Sequence, residues 1–156
     1  IREACTQFVA TRTTEGEHLK QDLVEKLHHM RDNVDKVEQR APQIIAEYRS
    51  KLMEKVNELL GDTQIDEARL STEIVLFADK ICTDEETVRL KSHITSMLNA
   101  LERSEGIGRK LDFIAQEMNR EANTILSKSN DLETSDIAIE LKTEIEKVRE
   151  QIQNIE

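Results

Sequence analysis

The chain is poor in whatever interrupts a helix or shapes a sheet. In 156 residues it has four glycines, one proline and no tryptophan, and only 3% of its residues are aromatic. That scarcity describes long helices rather than a sheet. The two cysteines, Cys5 and Cys82, lie far apart and fit no metal-ligand spacing, so they read as structural thiols of a reducing compartment. No apolar run approaches the roughly 20 residues of a membrane span, and no basic-then-apolar leader is recognisable. Gly-rich phosphate loops, nucleophile elbows and zinc motifs are also missing. A cytoplasmic setting is expected. The first residues (IREACTQFVATR) already carry a helical pattern without a Met, which suggests a segment of a longer protein.

What the chain has is charge. Charged residues make up 35% and hydrophobic residues 37%, with a net charge of −10. Such acidity argues against coating nucleic acid by bulk electrostatics, because phosphate binding is driven mainly by Lys and Arg. A local site using metal ions stays open, since metals need carboxylates.

Leu19, Leu23, Leu27, Met30, Val34 and Val37 recur at alternating spacings of three and four, the stripe of a packed helix. Pro42 is expected to end that helix and to open a second, PQIIAEYRSKLMEKVNELL, closed by Gly61-Asp62. A third helix runs from about Asp66 through EARLSTEIVLFADKI. Thr83-Asp84-Glu85-Glu86 is a capping-box signature that starts a fourth, with Thr83 capping and Glu86 reaching back. Gly106 and Gly108 precede a helix over about 109–129, and Ser135 is the expected cap of the last. The expected fold is all-α and one helical domain. A long antiparallel helical hairpin (1–62) has shorter helices, carrying the candidate site (63–156), packed at one end.

On a wheel of about 100° per residue, Leu111, Ile114, Ala115, Met118, Ala122, Ile125 and Leu126 share one arc, the core side. Opposite lie Arg109, Phe113, Gln116, Glu117, Arg120 and Thr124, with Ser127 close by. A large aromatic in the middle of a wet face is the anomaly. Phe113 is either covered by another helix or subunit, a ligand or base platform, or simply exposed. On the preceding helix Glu86, Arg89 and His93 fall within about 60° of one another. Carboxylate, guanidinium and imidazole together suit phosphodiester cleavage: the first binds metal or acts as base, the second stabilises phosphate charge, the third moves a proton. The bland alternative is a cap, a surface ion pair and a packed histidine. Glu73 and Asp79 could face the same stripe, whereas His18, His28 and His29 have no suitable partners.

GRKLDFIAQEMNREANTILSKSND (108–131) and ELKTEIEKVREQIQNIE (140–156) closely resemble the C-terminal signature of the YicC/YloC family of bacterial endoribonucleases. TRTTEGEHL (11–19), ARLSTEIVLFADK (68–80) and DEETVRLKSH (84–93) extend the resemblance across essentially the whole chain. Cys82-Thr83 and Leu126 depart from the family pattern, away from the charged positions. The resemblance implies a metal-dependent endoribonuclease acting on single-stranded RNA, assembled as a hexameric ring, with an N-terminal α/β region before the helical part. It implies Glu86, His93, Glu117, Arg120 and Glu121 as catalytic candidates, and Glu86, Glu117 and Glu121 as holders of Mn²⁺ or Mg²⁺. Arg89, Arg109, Phe113, Asn119, Asn123 and Lys128 are the RNA-binding candidates, and Glu73, Asp79 and Glu85 match family positions too. A non-catalytic assembly module is the rival expectation. Residues 103–128 carry five basic against four acidic residues, whereas 131–156 carry three against eight. The signature helix is therefore nearly balanced and able to meet phosphate.

Overall fold

The computed structural model describes residues 2–61, 66–103 and 108–153, with side chains described from residue 9 onward. They form α1 (Arg2–Leu60), α2 (Glu67–Ile81), α3 (Asp84–Leu101), α4 (Gly108–Lys128) and α5 (Leu132–Gln153), with no strand among them. The all-α class and the long first element with shorter helices packed on it are as the composition demands. Gly106, Asp62 and the side chain of Cys5 lie outside the described residues.

α1 departs from the expected layout. It runs for 59 residues without a break, with Pro42 inside it. A mid-helix proline forfeits one backbone hydrogen bond and crowds the preceding turn, so local rules predict a stop. Two things hold both sides of Pro42 in register. Arg40 clasps Glu47 one turn beyond the proline, at 2.6 and 3.0 Å. Packing continues across the site, because Val37 is buried and Ala41, Ile44 and Tyr48 are half-buried on successive turns. Tertiary contact overrides propensity here.

The chain reverses instead at Gly61, whose φ of 56° is the left-handed cap that L side chains resist. The hairpin thus pairs the end of α1 with α2, not two helices joined at Pro42. The rings of Tyr48 and Phe77 stack with centroids 3.7 Å apart, and Ile81 lines the same small apolar pocket as Val37 and Ile44.

The core lies among α1, α3, α4 and α5. Leu23, Leu27, Met30, Val34 and Val37 meet Leu90, Ile94 and Met97 of α3, Leu111, Met118 and Ile125 of α4, and Leu141, Ile145 and Val148 of α5. The apolar arc read on α4 is the buried one, with Leu126 partly buried at its edge. Ion pairs then fix the register: Arg149 to Asp112 between α5 and α4 (2.9 Å), and Lys91 of α3 to Asp35 and Glu38 of α1 (both 2.6 Å).

The cap of α5 is Asp131 rather than Ser135. Its Oδ2 accepts from the Thr134 amide at 3.0 Å, and its Oδ1 meets Arg40 Nη2 at 2.9 Å. The hydrogen bonds from Arg40, reinforced by those from Thr134, hold the Asp131 carboxyl below its ordinary value of 3.8 despite partial burial. A carboxylate with a depressed folded value stabilises the fold above its unfolded value, and that contribution fades as pH falls through the folded one. Melting temperature should therefore be flat near neutrality with respect to this group and fall as pH drops below about 4. In Asp131→Asn, thermal melts followed by circular dichroism should show a lower midpoint at neutral pH and a shallower acid decline.

Candidate functional site on the third and fourth helices

α3 and α4 run antiparallel, and their facing edges carry most of the candidate residues. At the first level Lys128 Nζ donates to Glu86 Oε1 and Oε2 at 2.9 and 3.0 Å, and to the Cys82 carbonyl at 3.0 Å. The Glu86 side chain is only 8% exposed. Here the capping-box expectation fails: Thr83 is buried and makes no side-chain cap hydrogen bond. Glu86 does not reach back, because a charge-assisted bond to an ammonium outweighs one to a neutral amide. Lys128 instead ties the α2–α3 joint to the end of α4.

At the next level Arg89 lies between Glu85 (3.2 Å) and Glu121 (3.8 Å), and the Glu121 side chain is 8% exposed. One turn further on α3 comes His93, and one turn back on α4 comes Glu117. Both are half-buried, and neither side chain has a hydrogen bond or ion pair to another described residue. The antiparallel register set by the Glu86–Lys128 and Arg89–Glu121 pairs carries these two towards one level along the facing edges of α3 and α4.

The outer face of α4 is polar and largely unengaged. Gln116, Asn119, Arg120, Asn123, Thr124 and Ser127 line a shallow depression along it. The hydroxyls of Thr124 and Ser127 bond back to the helix, to the carbonyls of Arg120 (3.2 Å) and Thr124 (2.9 Å). The side chains of Arg109, Asn119, Arg120 and Asn123 have no hydrogen-bond or ion-pair partner among the described residues. The same holds for Arg103 and Lys110, whereas the nearby acid Asp112 is taken by Arg149 and Gln116 (2.9 and 2.7 Å). This end of an acidic chain therefore presents cations with no acid partner among the described residues, and Phe113 is 62% exposed among them.

The remaining candidates go elsewhere. Glu73 accepts from Tyr48 Oη at 3.4 Å, and so faces α1 rather than the α3 stripe, while Asp79 is exposed. Gln116, Thr124 and Ser127 share the depression although none was a site candidate. The signal was present in their place opposite the apolar arc, but amides and hydroxyls alone do not specify chemistry. A divalent ion needs several converging carboxylate or imidazole donors. Glu86 is occupied by Lys128, and no group of three or more His, Cys, Asp or Glu among the described residues is placed to hold a metal. Glu86, Glu117 and Glu121 of one chain thus do not fit as a shared metal site.

Comparison with known proteins identifies the family. Residues 37–156 match the family model described as "Endoribonuclease YicC-like, C-terminal". The chain is 41% identical over 157 aligned residues to a probable endoribonuclease YicC of Clostridioides difficile, covering 100% of this chain and 54% of that protein. It is 38% identical over 151 residues to a probable endoribonuclease YicC of Haemophilus influenzae, covering 97% of this chain and 52% of that one. The chain therefore spans about half the length of these curated relatives. On this match and identity, the chain belongs to the YicC-like endoribonuclease family.

Proposed function

We propose that this chain carries the RNA-cleaving face of an endoribonuclease, and that the groove between α3 and α4 is where the phosphodiester is cut. The observation that carries the reading is the placement of His93 and Glu117 one turn beyond the Arg89–Glu121 pair, with Arg120 three residues after Glu117 on α4 and none of the three side chains partnered among the described residues. Each group suits one step. The Glu117 carboxylate takes the proton from the attacking hydroxyl as the new oxygen–phosphorus bond forms. The bond to the departing 5′ oxygen breaks as His93 supplies its proton. Arg120 and Arg89 neutralise the charge that builds on the phosphate oxygens, which is where fixed cations accelerate most. Buried Glu121 orients Arg89 and touches no substrate. Asn119 and Asn123 offer amides to sugar and base edges.

Glu86 and Lys128 hold the corner from which α3 departs. The substrate class is single-stranded RNA, handled in the cytoplasm; none of the described helices is long and apolar enough to cross a membrane. Assembly of several copies is part of the same reading, supported by Val75, Leu76 and Val88, which are 65%, 61% and 65% exposed.

The test is a gel assay of the full-length protein on a fluorescently labelled unstructured RNA. Arg89→Ala and Arg120→Ala should each slow cleavage by at least about tenfold, and Arg120→Ala, which breaks no ion pair with a described residue, should leave the melting temperature near that of the wild type. Wild-type rates in both variants would remove this face from the reaction. A correctly folded full-length protein that cuts no RNA would overturn the functional reading itself.

A further inference from the structure

The ring of Phe113 is the feature the cleavage chemistry leaves unused. Its helix already has a complete apolar side in Leu111, Ile114, Ala115, Met118 and Ala122, all buried, so the fold has no need of it. It points away from that core and is 62% exposed. Its helical neighbours settle what it faces. Arg109 lies one turn before it and Arg120 two turns after, both exposed and without a partner among the described residues. The acid beside it, Asp112, is turned to Arg149 and Gln116. An aromatic face between two guanidinium groups without partners among the described residues, with Asp112 engaged elsewhere and Glu117 one turn on assigned to the proton transfer, complements a strand of phosphates carrying bases.

Resting on the cleavage reading above, we propose that Phe113 is a base-stacking platform that makes the face select unpaired nucleotides. A base within a duplex has both faces covered by its neighbours, so only an unpaired base can lie flat on an exposed ring. Arg109 and Arg120 are about 16 Å apart along the axis, and they grip the phosphates on either side of the stacked nucleotide. The cations supply affinity for any phosphate chain. The ring supplies the preference for a single strand.

The test uses the full-length protein and two RNAs of equal length, one unstructured and one fully paired, with 2-aminopurine placed in the unstructured strand. Wild-type protein should bind the unstructured RNA more tightly and quench the 2-aminopurine, as stacking does. Phe113→Leu should weaken single-strand binding by about tenfold, leave duplex binding unchanged and abolish the quench. Phe113→Trp should keep both the tight single-strand binding and the quench. If Phe113→Leu keeps the wild-type preference and quench, the ring is not a platform. A fall in oligomeric mass by light scattering in Phe113→Leu, with preference intact, would assign the ring to a contact between copies and overturn the proposal. A wild type that binds no RNA overturns both this inference and the cleavage reading, whereas cleavage with an unaltered preference overturns this inference alone.

Discussion

Lys128→Met should lower the melting temperature by about 5–10 °C. The Lys128 ammonium spends its hydrogens on both oxygens of Glu86 and on the Cys82 carbonyl. Methionine keeps the length of the stem and removes all of them. Glu86, with its side chain 8% exposed, is then left as a carboxylate inside the fold with its cation gone. Orphaning one member of a buried pair costs roughly 3–5 kcal/mol. The Lys128 side chain is 35% exposed, so solvent softens the figure to roughly 2–3 kcal/mol. At this size each kcal/mol moves the midpoint by about 2–4 °C. The companion variant decides the cause. Adding Glu86→Leu to Lys128→Met should recover most of the loss, because two apolar side chains of similar volume replace a buried pair at little cost. If the double variant melts no higher than the single one, the loss comes from packing and not from the pair.

The second large effect is on activity. Glu117→Gln keeps the volume and hydrogen-bonding reach of the side chain but removes its ability to take a proton. Positioned acid–base groups contribute about a hundredfold to ten-thousandfold, so the cleavage rate should fall within that range. Binding should not fall, because in the proposed reading the phosphate contacts belong to Arg89, Arg109 and Arg120. Stability should not fall either, because Glu117 is half-buried and holds no ion pair with a described residue. A loss of rate with binding and melting intact separates a chemical role from a scaffolding one.

How far the sequence foretold this arrangement depends on the kind of interaction. Apolar periodicity reports burial directly, so the stripe from Leu23 to Val37 and the arc from Leu111 to Ile125 were legible in full. Caps and breaks were legible only where nothing distant intervened. Gly61 ends α1 because a left-handed residue is a local matter, whereas Pro42 fails to end it because Arg40, Glu47 and the packing around Ile44 act across the turn. Thr83 and Ser135 looked like caps by spacing, but Lys128 claims Glu86 and Asp131 caps α5 in place of Ser135. The candidate site shows the same division. The wheel placed Arg109, Phe113 and Arg120 on the open face. It could not say that Arg89 would turn to Glu121, that Asp112 would be neutralised from α5, or that three carboxylates would fail to converge. Those outcomes depend on which helix lies beside which.

The measurement that bears most directly on the α3–α4 groove is single-turnover cleavage of one unstructured RNA by full-length wild-type and Glu117→Gln proteins, with binding measured on the same RNA. The expected result is a rate at least about a hundredfold lower in Glu117→Gln, at equal affinity and equal melting temperature. A Glu117→Gln protein that cuts at the wild-type rate would contradict the assignment of the groove as the place where RNA is cleaved.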